Sequence, residues 1–123
     1  MLARLAHFCD LKIVYHPQNQ GKGAAIRTAL PHVTGDVVVI QDADLEYDPQ
    51  DLIRVIRPIV TGEADVSYGS RYLSQDAKAE SWIRRLGNQT LTCISNCVTG
   101  LQLTDMETAF KAFPRSVIQQ IEI

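Results

Sequence analysis

Half of the residues from 42 to 51 are acidic, and Asp42, Asp44 and Glu46 alternate directly after the apolar run Val37-Val38-Val39-Ile40. Like charges crowded at one point repel, and they need a cation or basic neighbours to be tolerated. Alternate carboxylates suit a hard divalent ion such as Mg2+ or Mn2+, which takes oxygen ligands and keeps positions open for phosphate oxygens. A solvated acidic turn is the competing reading of the same residues. An EF-hand loop is excluded, because Tyr47 stands where its glycine must be and Ile53 where its last glutamate must be.

Gly21-Lys22-Gly23 is a second candidate. It lacks the further glycine and the Ser or Thr of a Walker A loop, since His16 and Gly23 occupy those positions. What remains is a glycine turn feeding a helix N-terminus beside Lys22, which favours anions through free N–H groups and the helix dipole. A plain turn fits these residues equally well. Arg71 after Gly69-Ser70, the pair Arg84-Arg85, and Lys111 are basic groups suited to phosphate, although each alone reads as a surface charge. His7, His16 and His32 share no motif, and Asn88-Gln89-Thr90 is discounted as a glycosylation acceptor.

The elements that must hold these groups follow from the pattern. Residues 12–16 read as a short strand stopped by Pro17, and residues 22–33 as a helix burying Ala25, Ile26, Ala29, Leu30 and Val33. Residues 37–40 are β-branched throughout and suit a strand covered on both faces. Pro49 opens a helix carrying Leu52, Ile53, Ile56 and Ile59 on one side, with Pro58 late enough to end or kink it. Residues 65–69 form a third strand and residues 70–81 a polar loop. A long amphipathic helix then runs to about Gly100, its apolar stripe being Ile83, Leu86, Ile94, Cys97, Val98 and Leu101. A last strand over 110–113 leads into a helix from Pro114. Alternating strands and helices imply an α/β sheet with parallel strands, whose ligands collect beyond the strands' carboxyl ends. Both Asp42-Ala43-Asp44 and Gly69-Ser70-Arg71 lie at such ends.

The chain has 123 residues, enough for one domain, with 12 Lys+Arg against 14 Asp+Glu and a net charge of −2. That balance argues against a nucleic-acid partner, which needs a surplus of basic side chains. Cys9, Cys93 and Cys97 have no metal-ligand spacing and make no disulfide framework. Residues 1–10 have no signal-peptide character, so a cytoplasmic location is the default expectation. Residues 86–104 carry no charge but include many amide and hydroxyl side chains, too polar to span a bilayer.

Taken in order, several segments resemble family 2 glycosyltransferases, most of all the dolichol-phosphate mannose synthase branch and its bacterial polyprenyl-phosphate relatives. They are Asn19-Gln20-Gly21-Lys22-Gly23-Ala24-Ala25-Ile26-Arg27, Gly35-Asp36, Asp42-Ala43-Asp44-Leu45-Glu46-Tyr47-Asp48-Pro49, Gly69-Ser70-Arg71-Tyr72 and Thr104-Asp105-Met106-Glu107-Thr108-Ala109-Phe110-Lys111. No single segment is decisive, but the ordered set is specific. The resemblance implies a GT-A-type, Rossmann-like α/β fold with a mostly parallel sheet flanked by helices. It further implies inverting transfer of a hexose from a nucleotide-diphosphate sugar (GDP- or UDP-hexose) to a polyprenyl phosphate such as a dolichyl or undecaprenyl phosphate.

By position, the resemblance assigns Asp42, Asp44 and Glu46 to a Mg2+ or Mn2+ ion and Lys22 to the nucleotide-facing loop. Arg71, Arg84 or Arg85, and Lys111 fall around the donor diphosphate and the acceptor phosphate, and Asp105 at the acceptor-side acid position. A lipid phosphate is already an anion near neutral pH and could attack without a base, which leaves Asp105 a positioning role. A sugar hydroxyl would instead need Asp105 to take its proton.

The family's Pro-x-Tyr-Asn-Glu strand and Asp-Asp-Gly-Ser turn do not occur in this sequence. The expectation is therefore a single partial GT-A domain over residues 1–123, truncated at its N-terminus, with an unpaired sheet edge that invites homodimer formation. Contact with the cytoplasmic face of a membrane would rest on the helix from Ile83 and on the lipid substrate. The alternatives are a family 2 enzyme with a saccharide acceptor and a folded but inactive remnant.

Overall fold

Gly62 and Gly100 both adopt positive φ, +73° and +71°, and each ends a helix where a side chain would strain the backbone. The computed structural model in which they are seen describes residues 11–42, 48–72 and 82–123. These group into two compact units, one comprising residues up to Thr34 together with Gln119–Ile123, the other Gly35–Ile118.

In the first unit, helix α1 spans Gly21–Ala29 and continues as a 3-10 turn over Leu30–His32. The change of helix type coincides with Pro31, which has no N–H and whose ring crowds the carbonyl four residues earlier. Residues 12–16 carry no strand, contrary to expectation. Side chains anchor them instead: His16 Nε2 lies 2.9 Å from Thr28 Oγ1, and Lys12 Nζ 2.9 Å from His32 Nδ1. Isolated strands gain nothing without a ladder partner, and none is present among the described residues.

The second unit contains β1 (Val37–Ile40), α2 (Asp51–Val60), β2 (Ser67–Tyr68), α3 (Trp82–Thr99), β3 (Lys111–Pro114) and a short α4 (Arg115–Ile118). The sheet order is β1-β3-β2, and both ladders are antiparallel. This corrects the expected parallel sheet among the described residues. β3 runs back between β1 and β2, which therefore share a direction without touching. The arrangement combines helices with a three-stranded antiparallel sheet.

Val55 of α2, Phe110 and Ala112 form the buried core, with Val37, Val39, Leu52 and Ile59 packed around them. The buried stripe of α2 is thus Leu52, Val55 and Ile59, whereas Ile53, expected inside, is 74% exposed. Pro58 does not stop α2, which runs two residues further before Thr61 caps it through Arg57 O. The residues of β1 are half-buried throughout.

The larger correction concerns α3. Its buried side chains are Asn88 and Thr92, while Ile83, Leu86, Ile94 and Val98 of the expected inner stripe are exposed. Leu101, just beyond the helix, and Cys97 are exposed as well. The polar side faces inward because it has hydrogen-bonding partners there.

Candidate functional site

Ladder register gathers the site. Lys111, the first residue of β3, pairs with Ile40 on one side and Tyr68 on the other. Because β3 is antiparallel to both neighbours, it begins where they end. Gln41-Asp42 therefore continues from one side of Lys111 and Gly69-Ser70-Arg71 from the other. Lys111 Nζ lies 5.1 Å from the centre of the Tyr68 ring, a cation–π contact that keeps the ammonium over β2. Gly69 prolongs the ladder, its N–H donating to Phe110 O at 2.8 Å. A Cβ at Gly69 would meet Phe110 Cβ at 3.0 Å and Val55 Cγ2 at 3.3 Å, so the close approach requires glycine.

Arg71 then grips Asp105. Its Nε donates to Oδ2 at 2.9 Å, its Nη2 to Oδ1 at 3.0 Å, and its backbone N–H to Oδ2 at 3.1 Å. Asn88 Nδ2 donates to Oδ1 at 2.7 Å and also lies 2.8 Å from Tyr72 Oη. The Asp105 side chain is fully buried and that of Arg71 is 24% exposed. Burial alone would raise the Asp105 carboxyl, but hydrogen bonds from the Arg71 side chain, Asn88 and the Arg71 backbone outweigh it, with help from the guanidinium charge. The carboxyl is held below its ordinary value and stays ionised.

One further layer fixes Asn88. Its Oδ1 accepts from Thr92 Oγ1 at 3.2 Å, and Thr92 Oγ1 accepts from the Met106 N–H at 3.1 Å. Donor and acceptor roles run in one direction along this chain, so the Asn88 amide has a defined orientation. Arg85, one turn before Asn88 on α3, stacks over the Tyr72 ring at 5.5 Å, and Arg71 lies 5.9 Å from the same ring. A buried carboxylate thus organises one arginine directly and a second through a shared tyrosine.

The residues expected to act together are partly united. Arg71 and Asp105 are in direct contact, Arg85 joins them through Tyr72, and Lys111 and Asp42 belong to the same sheet end. Arg84 is exposed on α3, and Lys22 lies in the first turn of α1, in the other unit. Asp44 and Glu46 lie outside the described residues, and among the described residues no group of three or more His, Cys, Asp or Glu side chains could hold a metal ion. Sequence reasoning gave Asn88, Thr92 and the Tyr72 hydroxyl no part in the site. The available signal was the four-residue spacing of Asn88 and Thr92, which puts two polar side chains on one helical side.

Comparison with known proteins adds the following. A profile described as glycosyl transferase family 2 matches residues 1–122. The chain is 30% identical over 110 residues to the UDP-N-acetylglucosamine--dolichyl-phosphate N-acetylglucosaminyltransferase of Methanococcus voltae, covering 86% of this chain and 44% of that protein. It is 31% identical over 101 residues to the undecaprenyl-phosphate 4-deoxy-4-formamido-L-arabinose transferase of Sodalis glossinidius, covering 82% and 29%. It is 28% identical over 112 residues to the low-salt glycan biosynthesis hexosyltransferase Agl6 of Haloferax volcanii, covering 89% and 27%. The chain spans less than half the length of each of these relatives.

Proposed function

The chain belongs to glycosyl transferase family 2, and from that premise we propose that it takes part in metal-dependent, inverting transfer of a hexose from a GDP- or UDP-sugar to a polyprenyl phosphate. The names of two relatives, which specify dolichyl and undecaprenyl phosphates, support the acceptor class. The observation that carries the reading is the pairing of Arg71 with the fully buried Asp105, on the loop that follows the Tyr68–Lys111 ladder pair.

In such a transfer the anomeric carbon gains a bond to the acceptor oxygen and loses its bond to the nucleoside diphosphate. Charge grows on the departing diphosphate, so fixed cations aimed at it lower the barrier. Arg71 is suited to that task, since Asp105 removes its freedom to swing away. Lys111 supplies a second positive charge at the same sheet end, and Lys22 is assigned to the nucleotide loop. Arg84 or Arg85 completes the basic set around the donor diphosphate and the acceptor phosphate.

The acceptor reading gains support from Asp105 itself. Arg71 and Asn88 donate to both of its oxygens, and its carboxyl is held low. Such a group is poorly disposed to take a proton from a sugar hydroxyl. A phosphate acceptor presents no proton that must be removed. Asp105 is accordingly a positioning residue for Arg71. The carboxylates of Asp42, Asp44 and Glu46 are hard oxygen donors that fit Mg2+ or Mn2+, and they would hold the ion. When bound, such an ion neutralises diphosphate charge.

The test is calorimetric titration of the protein with GDP- and UDP-sugars in the presence of Mn2+, followed by product analysis with a polyprenyl phosphate and with a saccharide. Heat of binding and a lipid-linked product are expected. Absence of heat at millimolar donor would identify an inactive remnant, and a saccharide product the other acceptor class.

A further inference from the structure

Cys93 and Cys97 stand four residues apart on α3, and both are free and exposed. Spacing of one turn puts two side chains on the same side of a helix, with about 5–6 Å between their Cβ atoms. Both line one groove of about 420 Å³, together with Gln89, Thr92, Asn96 and Thr104. The chain reversal after the helix closes that groove. Gly100 takes a positive φ, and Asn96 clamps Leu103, its Nδ2 donating to Leu103 O at 2.9 Å and its Oδ1 accepting from the Leu103 N–H at 2.9 Å. The clamp brings the next residue, Thr104, to the groove that the cysteines line.

The donors in the groove are few. Residues 86–104 include no charged side chain, so a hard cation finds no carboxylate there. The Asn96 amide is engaged at both ends by Leu103, and the Thr92 hydroxyl by Asn88 and the Met106 N–H. Among the lining residues only the two thiols can become anionic ligands. Thiolates select soft ions such as Cu(I).

Distance decides between the two things a pair of thiols can do. A disulfide needs Cβ atoms about 3.5–4.5 Å apart, closer than one regular helical turn provides. An ion bonded to both sulfurs, at the zinc–thiolate length of about 2.3 Å each, spans sulfurs up to about 4.6 Å apart. Two cysteines one turn apart reach that separation when their side chains turn toward each other. The spacing is not that of a four-ligand zinc site, but it is the one at which the two histidines of H-E-x-x-H hold a single metal on a helix.

We infer that Cys93 and Cys97 form a two-thiolate site for a soft cation of the Cu(I) type. Binding forms two sulfur–metal bonds, releases one proton from each thiol to solvent and transfers no electron. The site uses none of the residues assigned to glycosyl transfer, and it stands or falls apart from that reading.

The test titrates the purified, reduced protein with Cu(I) under anaerobic conditions, in competition with the chromogenic chelator bathocuproine disulfonate. One ion per chain is expected, with metal blocking the alkylation of Cys93 and Cys97 by iodoacetamide and leaving that of Cys9 unaffected, as read by peptide mass spectrometry. C93S and C97S, each altered at an exposed position, should keep their circular dichroism and lose Cu(I) affinity by a hundredfold or more. C97S/V98C keeps the number of thiols but turns one of them about 100° around the helix, and it should bind no better than C97S. Absence of binding, unchanged affinity in C93S or C97S, recovery in C97S/V98C, or protection of Cys9 in place of either partner would overturn the proposal. So would half an ion per chain with a doubled mass by light scattering, since the ligands would then come from two copies.

Discussion

Asp105 receives Arg71 on both of its carboxylate oxygens, at 2.9 and 3.0 Å, with its own side chain wholly buried. The two residues are 34 positions apart, and the pair joins the loop after β2 to the segment before β3. A buried ion pair of this kind adds little net stability against an apolar replacement, but breaking it from one side is costly.

Arg71→Ala therefore has two expected effects. Unfolding stability in urea should fall by about 3 kcal/mol, because Asp105 is left buried without its cation. Affinity for a nucleoside diphosphate with Mn2+ should fall by about 1–3 kcal/mol, the range for charge-assisted hydrogen bonds. Loss of stability with affinity unchanged would assign Arg71 to the fold alone.

Acid titration gives a signed prediction. The carboxyl of Asp105 sits below its unfolded value of about 3.9. Its contribution is fully present above that value and is lost as the pH falls through the lower, folded value. In Asp105→Asn that part of the acid limb should flatten. Measuring urea midpoints between neutral and strongly acidic pH compares the two proteins, and parallel acid limbs would contradict the assignment.

Asn88→Ala removes one donor from Asp105 and the link to Tyr72, and it leaves the Thr92 hydroxyl without its acceptor. A loss of about 2 kcal/mol is expected. The double variant Asn88→Ala/Asp105→Asn should lose clearly less than the sum of the two single changes, because the residues share one network. Strict additivity would show that they act apart.

Gly69→Ala tests the close approach of the β2 extension to Phe110 and Val55. Both neighbours are core atoms with little room to give, so a loss of about 1–3 kcal/mol is expected by chemical denaturation. A neutral outcome would mean that the ladder end relaxes freely.

Asp44→Asn, at the centre of the acidic run, should abolish the Mn2+-dependent part of donor binding while leaving thermal stability in place. Calorimetry with and without chelator reads both components, and an unchanged metal dependence would reduce the run to a solvated turn.

Much of the local structure was legible in the residues. Glycines and the three- and four-residue spacing of apolar side chains delimited α1, α2 and α3, because helix formation depends on neighbours a turn away. The ordered family segments likewise singled out Arg71 and Asp105, which the structure brings into direct contact. The antiparallel insertion of β3 between β1 and β2 was not legible, since strand pairing is decided by contacts far apart in sequence and β3 has only four residues. The orientation of α3 was not legible for a related reason. Hydrophobic spacing predicts which side of a helix is apolar, but the demand of a buried carboxylate for donors turned Asn88 and Thr92 inward. Residue types by themselves determined the chemistry available to this protein and the helices that carry it. Only the tertiary structure decided that Asp105 is spent holding Arg71, because a proton acceptor and a buried counter-ion look identical until the donors around them are in place.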